Sequence, residues 1–316
     1  MVTLRQFRHM RIAKKWILAT FILTFLVIIA GGVVRTTHSG MGCPDWPRCF
    51  GKWIPPTNAS ELPVDFEKFL QKQDIDHTFN AFHTWIEYIN RLLGVLLGLF
   101  AVIQLGILFF HRKENKRSFR LAIAFFIAVV LTGLFGAIVV KLNLAHLSIS
   151  VHLLLAIVLA QIQLALLLSS TNKIDRYSVS PTMSKLFYLL LFVIFTHSVL
   201  GTMVRIYVDD VSAALHYGDR PAWLAEMPLA FIIHRTFSWV VLLAGFYVAY
   251  AVRAATFINK QVFALLALLI VNMIVGIVLF YLDMPAFAQP LHLFLAACAI
   301  TQATSVILQS RNTLKA

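Results

Sequence analysis

The amino-acid sequence predicts an all-α integral membrane protein with eight transmembrane helices, arranged as two pseudo-symmetric four-helix bundles with both termini cytoplasmic. Three observations predict it. Apolar residues make up 59% of the 316-residue chain and charged residues only 13%, against roughly 45–50% and about 25% in soluble domains. The charges gather in short segments between apolar runs of about 20 residues, the length that crosses a hydrocarbon core. The motifs of the first half also recur in the second at matching intervals.

Taken in order, the apolar segments fall at about 16–34, 82–110, 119–140, 147–170, 184–207, 229–252, 260–282 and 288–308. The first is too long for the apolar core of a signal peptide, and no A-x-A cleavage pattern follows it, so it reads as a membrane helix. Arg5, Arg8, Arg11, Lys14 and Lys15 precede it without an acid. Arg112, Lys113, Lys116, Arg117 and Arg120 fill the second connection, Lys173, Arg176 and Lys185 the fourth, and Arg253 and Lys260 the sixth. By the positive-inside rule these are the cytoplasmic side. The alternate connections carry the acids: Asp45, Glu61, Asp65, Glu67, Asp74 and Asp76 in 35–81, and Asp209, Asp210, Asp219 and Glu226 in 208–228. The net charge of +13 therefore encodes topology. It flanks apolar spans instead of covering one solvated face, so no nucleic-acid partner is expected. An ordinary soluble enzyme is excluded.

The duplication decides the architecture. Gly31-Gly32-Val33-Val34-Arg35 ends the first span as Gly201-Thr202-Met203-Val204-Arg205 ends the fifth, and Asn90-Arg91 opens the second where His234-Arg235 opens the sixth. Gly136 precedes His152 by the same 16 residues that separate Gly276 from His292. An even number of spans separates equivalents, so the copies cross in the same sense and are expected to be related by an axis along the membrane normal. The expected division is an N-terminal bundle over 1–170 with the long outer loop 35–81, a cytoplasmic linker over 171–184, and a C-terminal bundle over 185–316.

Ionisable residues inside spans are expensive and mark function by default. His234 and His292 lie at similar depth in two helices that enter from the same side, which is the arrangement for bis-histidine ligation of haem in a bundle. The bland alternative, two core histidines satisfied by carbonyls, is weakened by their matched positions in one repeat. Zinc is weaker still, since structural zinc sites usually gather four ligands. In the first half His152 corresponds to His292, but Asn90 stands where His234 would be, and an amide is a poor haem ligand. A haem there would be five-coordinate, or would use His83, which shares a helical face with Glu87 and Asn90. The alternative is a degenerate repeat without a cofactor. Glu87 needs a partner or a proton at this depth and is the candidate general base; an ion pair with Arg91 or Arg35 is the structural alternative. Arg35, Arg91, Arg205 and Arg235, at outer helix ends, suit haem propionates.

Cys43-Pro44-Asp45-Trp46-Pro47-Arg48-Cys49 sits just outside the first span, and Cys298 lies within an apolar stretch, which leaves Cys43 and Cys49 as the plausible pair. It reads as a structural staple on the long loop or as a redox-active pair. His38, His77, His146, His197 and His216 are read as solvated or structural, and His9 and His111 as lying on the inside.

These residues resemble one known family, haem A synthase. The matching pieces are Gly32-Val33-Val34-Arg35-Thr36, Ser39-Gly40-Met41-Gly42-Cys43-Pro44-Asp45-Trp46-Pro47-Arg48-Cys49, Glu87-Tyr88 with Arg91, His152, His234-Arg235 and His292, over essentially the whole chain. The resemblance implies oxidation of the C8 methyl of haem O to a formyl group by successive hydroxylations and loss of water. It implies that His234 and His292 hold a permanent haem b, that the His152 half receives haem O, and that Glu87 takes part in catalysis. The chain departs from many members at Asn90, where they have His, and lacks the second outer cysteine pair that some carry.

The competing readings are a non-catalytic dihaem cytochrome relaying electrons and a haem carrier for oxidase assembly. A bacterial inner membrane is the expected location, because about 15 residues before the first span are short for a mitochondrial presequence. From the resemblance, the farnesyltransferase that makes haem O is the expected partner; the electron acceptor and any homo-oligomer are left open.

Overall fold

The computed structural model describes residues 4–70, 79–170, 177–254 and 258–312. Asp74, Asp76, His77, Lys173 and Arg176, named above, lie outside the described residues. Among the described residues, eight helices are long and apolar enough to cross a membrane: α1 (Leu4–Thr36), α3 (Ala81–Phe110), α4 (Lys116–Lys141), α5 (His146–Ser169), α6 (Pro181–Ala214), α7 (Leu229–Val252), α8 (Ile258–Tyr281) and α9 (Ala288–Gln309). A one-turn helix, α2 (Glu67–Leu70), lies in the loop after α1. Only 22% of the apolar window of α3 and 11% of that of α4 is buried within the protein. Side chains such as Val95, Leu99 and Leu131 face outward, a surface that suits lipid and not water.

The chain divides into two compact units, residues 1–172 and 173–316. In the first, α1 packs on α3 and α5, α3 on α4, and α4 on α5, which closes a ring of four helices. α3 and α5 therefore face each other diagonally. The ring is filled by Leu23, Leu97, Ala101, Phe125 and Leu159, and nearer the N-terminal end of α1 by Ala13, Ile17, Leu108, Ala122 and Leu166. Between these layers the buried amides of Gln104 and Gln163 bond each other reciprocally at 3.1 and 2.8 Å, and Gln163 also donates to the Ile17 carbonyl at 3.0 Å. Such groups are tolerated away from water only when paired. The second unit closes the same kind of ring, α6 to α7 to α8 to α9 and back to α6, so that α7 and α9 are diagonal.

Local sequence explains where the helices start and stop. Asn80, Asn115 and Ser180 accept the backbone N–H of Phe82, Ser118 and Met183, and Pro181 takes a first-turn position where its missing N–H is harmless. α1, α4, α6 and α8 each end in a left-handed residue: His38, Asn143 with Leu144, His216 with Tyr217, and Asp283 with Met284. In each case an N–H reaches back five residues, from Ser39 to Val34, Leu144 to Val139, Tyr217 to Ser212 and Met284 to Leu279. The terminal carbonyls are thereby satisfied without the usual glycine.

Two expectations about boundaries are corrected. α6 runs seven residues past the expected end at 207. Asp209 and Asp210 looked like loop residues, but Asp209 forms an i,i+4 ion pair with Arg205 at 2.9 Å, and Val208 packs against Trp223 and Leu224. Of the expected linker over 171–184, residues 171–176 lie outside the described residues. Tyr177–Val179 (β1) pairs in parallel with Ser310–Asn312 (β2), and Pro181 already belongs to α6.

Candidate functional site

In the second unit the diagonal helices bring the two histidines together. The imidazoles of His234 on α7 and His292 on α9 have centroids 6.3 Å apart and planes crossed at 79°. Each ring is seated by the helix between. On α8, the Asn272 carbonyl lies 3.1 Å from His292 Nδ1. A carbonyl only accepts, so Nδ1 carries the hydrogen and Nε2 keeps its lone pair. One turn later, a Cβ on Gly276 would stand 3.3 Å from His292 Cε1. On α6 the same four-residue step recurs: a Cβ on Gly201 would stand 3.2 Å from His234 Cε1, and the ring of His197 lies flat on that of His234, with centroids 4.1 Å apart and planes at 3°. Glycine in a helix interior costs about 0.5–1 kcal/mol relative to alanine. At these positions it admits an imidazole edge. The Nδ1 of His234 is buried without a hydrogen-bond partner.

In the first unit His152 on α5 is seated in the same way. A Cβ on Gly136 would stand 3.3 Å from its Cε1, the ring of Phe135 lies nearly parallel at 6.4 Å, and its Nδ1 is buried without a partner. On the diagonal helix α3, Asn90 Oδ1 is likewise buried without a partner. In the sequence repeat, His152 corresponds to His292 and Asn90 to His234.

His83, Glu87 and Arg91 on α3 meet the cysteine loop. Cys43 and Cys49 are joined by a disulfide, S–S 2.03 Å. The loop is a small folded unit: both cysteines and Phe50 are fully buried among Leu62, Phe66, Phe69, Phe79 and Tyr88. Phe50 and Gly51, both with positive φ, form the reversal between the paired Cys49 and Lys52. This turn needs φ > 0 at both central residues. Asp45 holds it by accepting the N–H of Phe50 at 2.6 Å and of Gly51 at 2.9 Å. Gly42 lies directly on the start of α3, where a Cβ would stand 2.3 Å from the His83 carbonyl oxygen. Further out, the N–H and hydroxyl of Thr57 hold the exposed Glu61 carboxyl below its usual range.

Glu87 is 4% exposed, and both its oxygens are engaged. Oε2 accepts the Cys43 N–H at 2.7 Å, and Oε1 accepts from Arg91 Nε at 3.0 Å and from an Arg91 terminal nitrogen at 2.5 Å. Arg91 also donates to the carbonyls of Cys43 at 2.7 Å, Asp45 at 2.6 Å and Arg48 at 3.0 Å. A guanidinium has five N–H donors, and all five are used here. Arg91, one of the arginines expected to contact propionates, staples the cysteine loop to α3. His83 is tied to the same corner through Ser39 Oγ, 3.0 Å from Nδ1. Arg205, also expected to hold a propionate, is ion-paired with Asp209 and bonded to the Gln289 amide oxygen. Arg235 lies over the rings of Phe231 and Phe280 at 5.6 and 6.0 Å, and Arg35 is in the last turn of α1.

The sequence alone places His197 among the solvated or structural histidines. It lies mid-helix in α6, against His234. The signal was its place four residues before Gly201, the spacing that Asn272 shows before Gly276.

A family model described as cytochrome oxidase assembly protein, COX15-CtaA, matches residues 14–304. The chain is 24% identical over 347 aligned positions to a heme A synthase of Brucella ovis, covering 96% of this chain and 93% of that protein. It is 24% identical over 244 residues to a heme A synthase of Orientia tsutsugamushi strain Ikeda, 67% of each chain. A heme A synthase of Shewanella oneidensis is 31% identical over 140 residues, and there the chain spans only 40% of the relative's length. With the family model covering nearly its full length, the chain belongs to the COX15-CtaA family of cytochrome oxidase assembly proteins.

Proposed function

We propose that this protein is a haem A synthase, an oxidoreductase that converts the C8 methyl of haem O to a formyl group. The observation that carries the reading is the contrast between the units: crossed imidazoles 6.3 Å apart in the second, and in the first a glycine-seated His152 with Asn90 where the sequence repeat puts the second histidine. Two metal–imidazole bonds of about 2 Å and two ring radii sum to roughly 6 Å, so the His234 and His292 rings fit one iron between them. The protonated Nδ1 of His292 and the glycine seats support the same fit, and on this reading His234 and His292 hold a resident haem b. When bound, that haem supplies redox chemistry, while the protein supplies orientation and electrostatics.

The first unit is proposed to receive haem O as substrate, with His152 facing the iron and Asn90 leaving the opposite side weakly held. An exchangeable substrate needs such a site; a relay cytochrome would be served better by two saturated ones. Glu87 and Arg91 hold the disulfide-bonded loop over the start of α3, which positions His83 and closes that end against water. A general-base role for Glu87 requires one of its bonds to Arg91 or Cys43 to open. The two rings are proposed to be pseudo-symmetric copies. Both termini then lie in the cytoplasm of a bacterial inner membrane, and the enzyme that farnesylates haem is the proposed supplier.

The test is expression in a membrane host that makes haem O but not haem A, with acid extraction and chromatography of the haems. Haem A in the extract is the expected result. Haem b alone, with haem O present in the host, would overturn the synthase in favour of an electron-relay cytochrome. Glu87→Gln is expected to keep its haem but to make no haem A, and abundant haem A from it would remove Glu87 from the chemistry.

A further inference from the structure

The two proposed axial ligands are held by different means. A ligating histidine is usually oriented by a hydrogen bond from its second ring nitrogen. His292 has that bond, to the Asn272 carbonyl, whereas His234 Nδ1 has no partner. What His234 has instead is His197. The two rings are parallel within 3° at 4.1 Å, and His197 Nε2 lies 3.2 Å from the His234 carbonyl oxygen. Because that oxygen only accepts, His197 donates from Nε2, which locks its ring against α7. Its position is further bounded by Phe237, one turn along α7, at 6.1 Å and 30°.

We infer that His197 is a positioning residue for His234: its stacked ring fixes the plane of the ligand imidazole and so holds the two ligand planes crossed, at 79° in this structure. The inference rests on the proposed haem b reading. The repeat supports it independently of the ring geometry. Counting from Gly31 and Gly201, the counterpart of His197 in the first half is Val27, an apolar residue in the half whose equivalent of His234 is Asn90. The stacking imidazole therefore occurs only beside a pair of histidines. The angle between ligand planes sets the anisotropy of a low-spin ferric haem, so the device acts on the iron's electronic state without touching the iron.

The experiment compares the purified full-length holoprotein with His197→Ala, His197→Phe and His197→Gln by low-temperature EPR and by the haem midpoint potential. The wild type is expected to give a strongly anisotropic low-spin signal. His197→Phe, which keeps a ring on His234, is expected to preserve it. His197→Gln, which keeps a donor but no ring, and His197→Ala, which keeps neither, are expected to move the low-field line to higher field and shift the potential. Their haem affinity should fall by about ten-fold, the lower end for lost outer-shell partners. A wild-type spectrum and potential in His197→Ala would overturn the inference. If that variant loses its haem altogether, identical spectra in the Phe and Gln variants would overturn it, and retention by Phe alone would support it. A separate control guards the premise: if His234→Ala or His292→Ala keeps an unchanged low-spin haem, the bis-histidine reading fails, whatever His197 does.

Discussion

Gly276 faces His292 across α8 and α9, and the Cβ it lacks would stand 3.3 Å from Cε1 of the imidazole. That separation is tighter than ordinary carbon contact, so alanine forces the ring to give by a few tenths of an ångström, and valine forces more. Gly276→Ala is expected to lower haem content per protein, and Gly276→Val to lower it further, read from the haemochrome spectrum of purified protein. Equal haem content in all three proteins would show that the seat does not position the ligand.

Other helix glycines should behave in the opposite way. Around Gly94 on α3 and Gly133 on α4 an added Cβ meets nothing within 4 Å. Replacement by alanine reduces the freedom of the unfolded chain without a clash, worth about 0.5–1 kcal/mol of stability. Thermal unfolding in detergent should rise slightly or stay level for Gly94→Ala and Gly133→Ala. A clear fall in either would mean that the open face is covered in the folded protein.

Removing Arg91 strands Glu87. Breaking a buried pair by deleting one partner typically costs about 3–5 kcal/mol, because the remaining charge stays buried; three loop carbonyls lose their donor as well. Arg91→Ala is expected to unfold well below the wild type and to expose the cysteine loop to protease. Adding Glu87→Gln should recover part of the loss, since the stranded charge is gone. No recovery in the double variant would place the cost in the carbonyl contacts alone.

The disulfide closes a short loop, its two cysteines being six positions apart in sequence. The chain-entropy relation for so short a loop gives about 2 kcal/mol. Cys43→Ser with Cys49→Ser is therefore expected to lower the unfolding temperature modestly. The loop should stay seated, because Arg91, Thr84 and Asp45 hold it through bonds that do not involve sulfur. Rapid proteolysis within 42–53 in otherwise folded protein would show that the disulfide is the main anchor.

Much of the fold is legible in the sequence. The apolar runs located all eight spans to within a few residues, except at the start of α1, which begins at Leu4 ahead of the apolar run, and at the end of α6, where Asp209 and Asp210 read as loop although Asp209 is paired along the helix. The 16-residue interval from glycine to histidine singled out His152 and His292, because a helix, a short connection and a second helix return to the same level only at a set length. The reason for the glycines was not legible, since it lies in a contact between neighbouring helices. His197 was passed over because a single histidine in an apolar span has no local pattern that separates a stacked ring from a solvated one.

The sequence by itself determined the membrane class, the number of spans, the recurrence of motifs between the halves, the cysteine pair, and the choice of His234 and His292 as a pair. These follow from composition and periodicity, which one-dimensional order preserves. Only the tertiary structure decided that all five donors of Arg91 go to Glu87 and the loop, that glycines on α4, α6 and α8 seat the imidazoles, and that His197 covers His234. Those depend on which faces of different helices meet, and that is set by packing across the ring of four, where residues far apart in the chain compete for the same few ångströms.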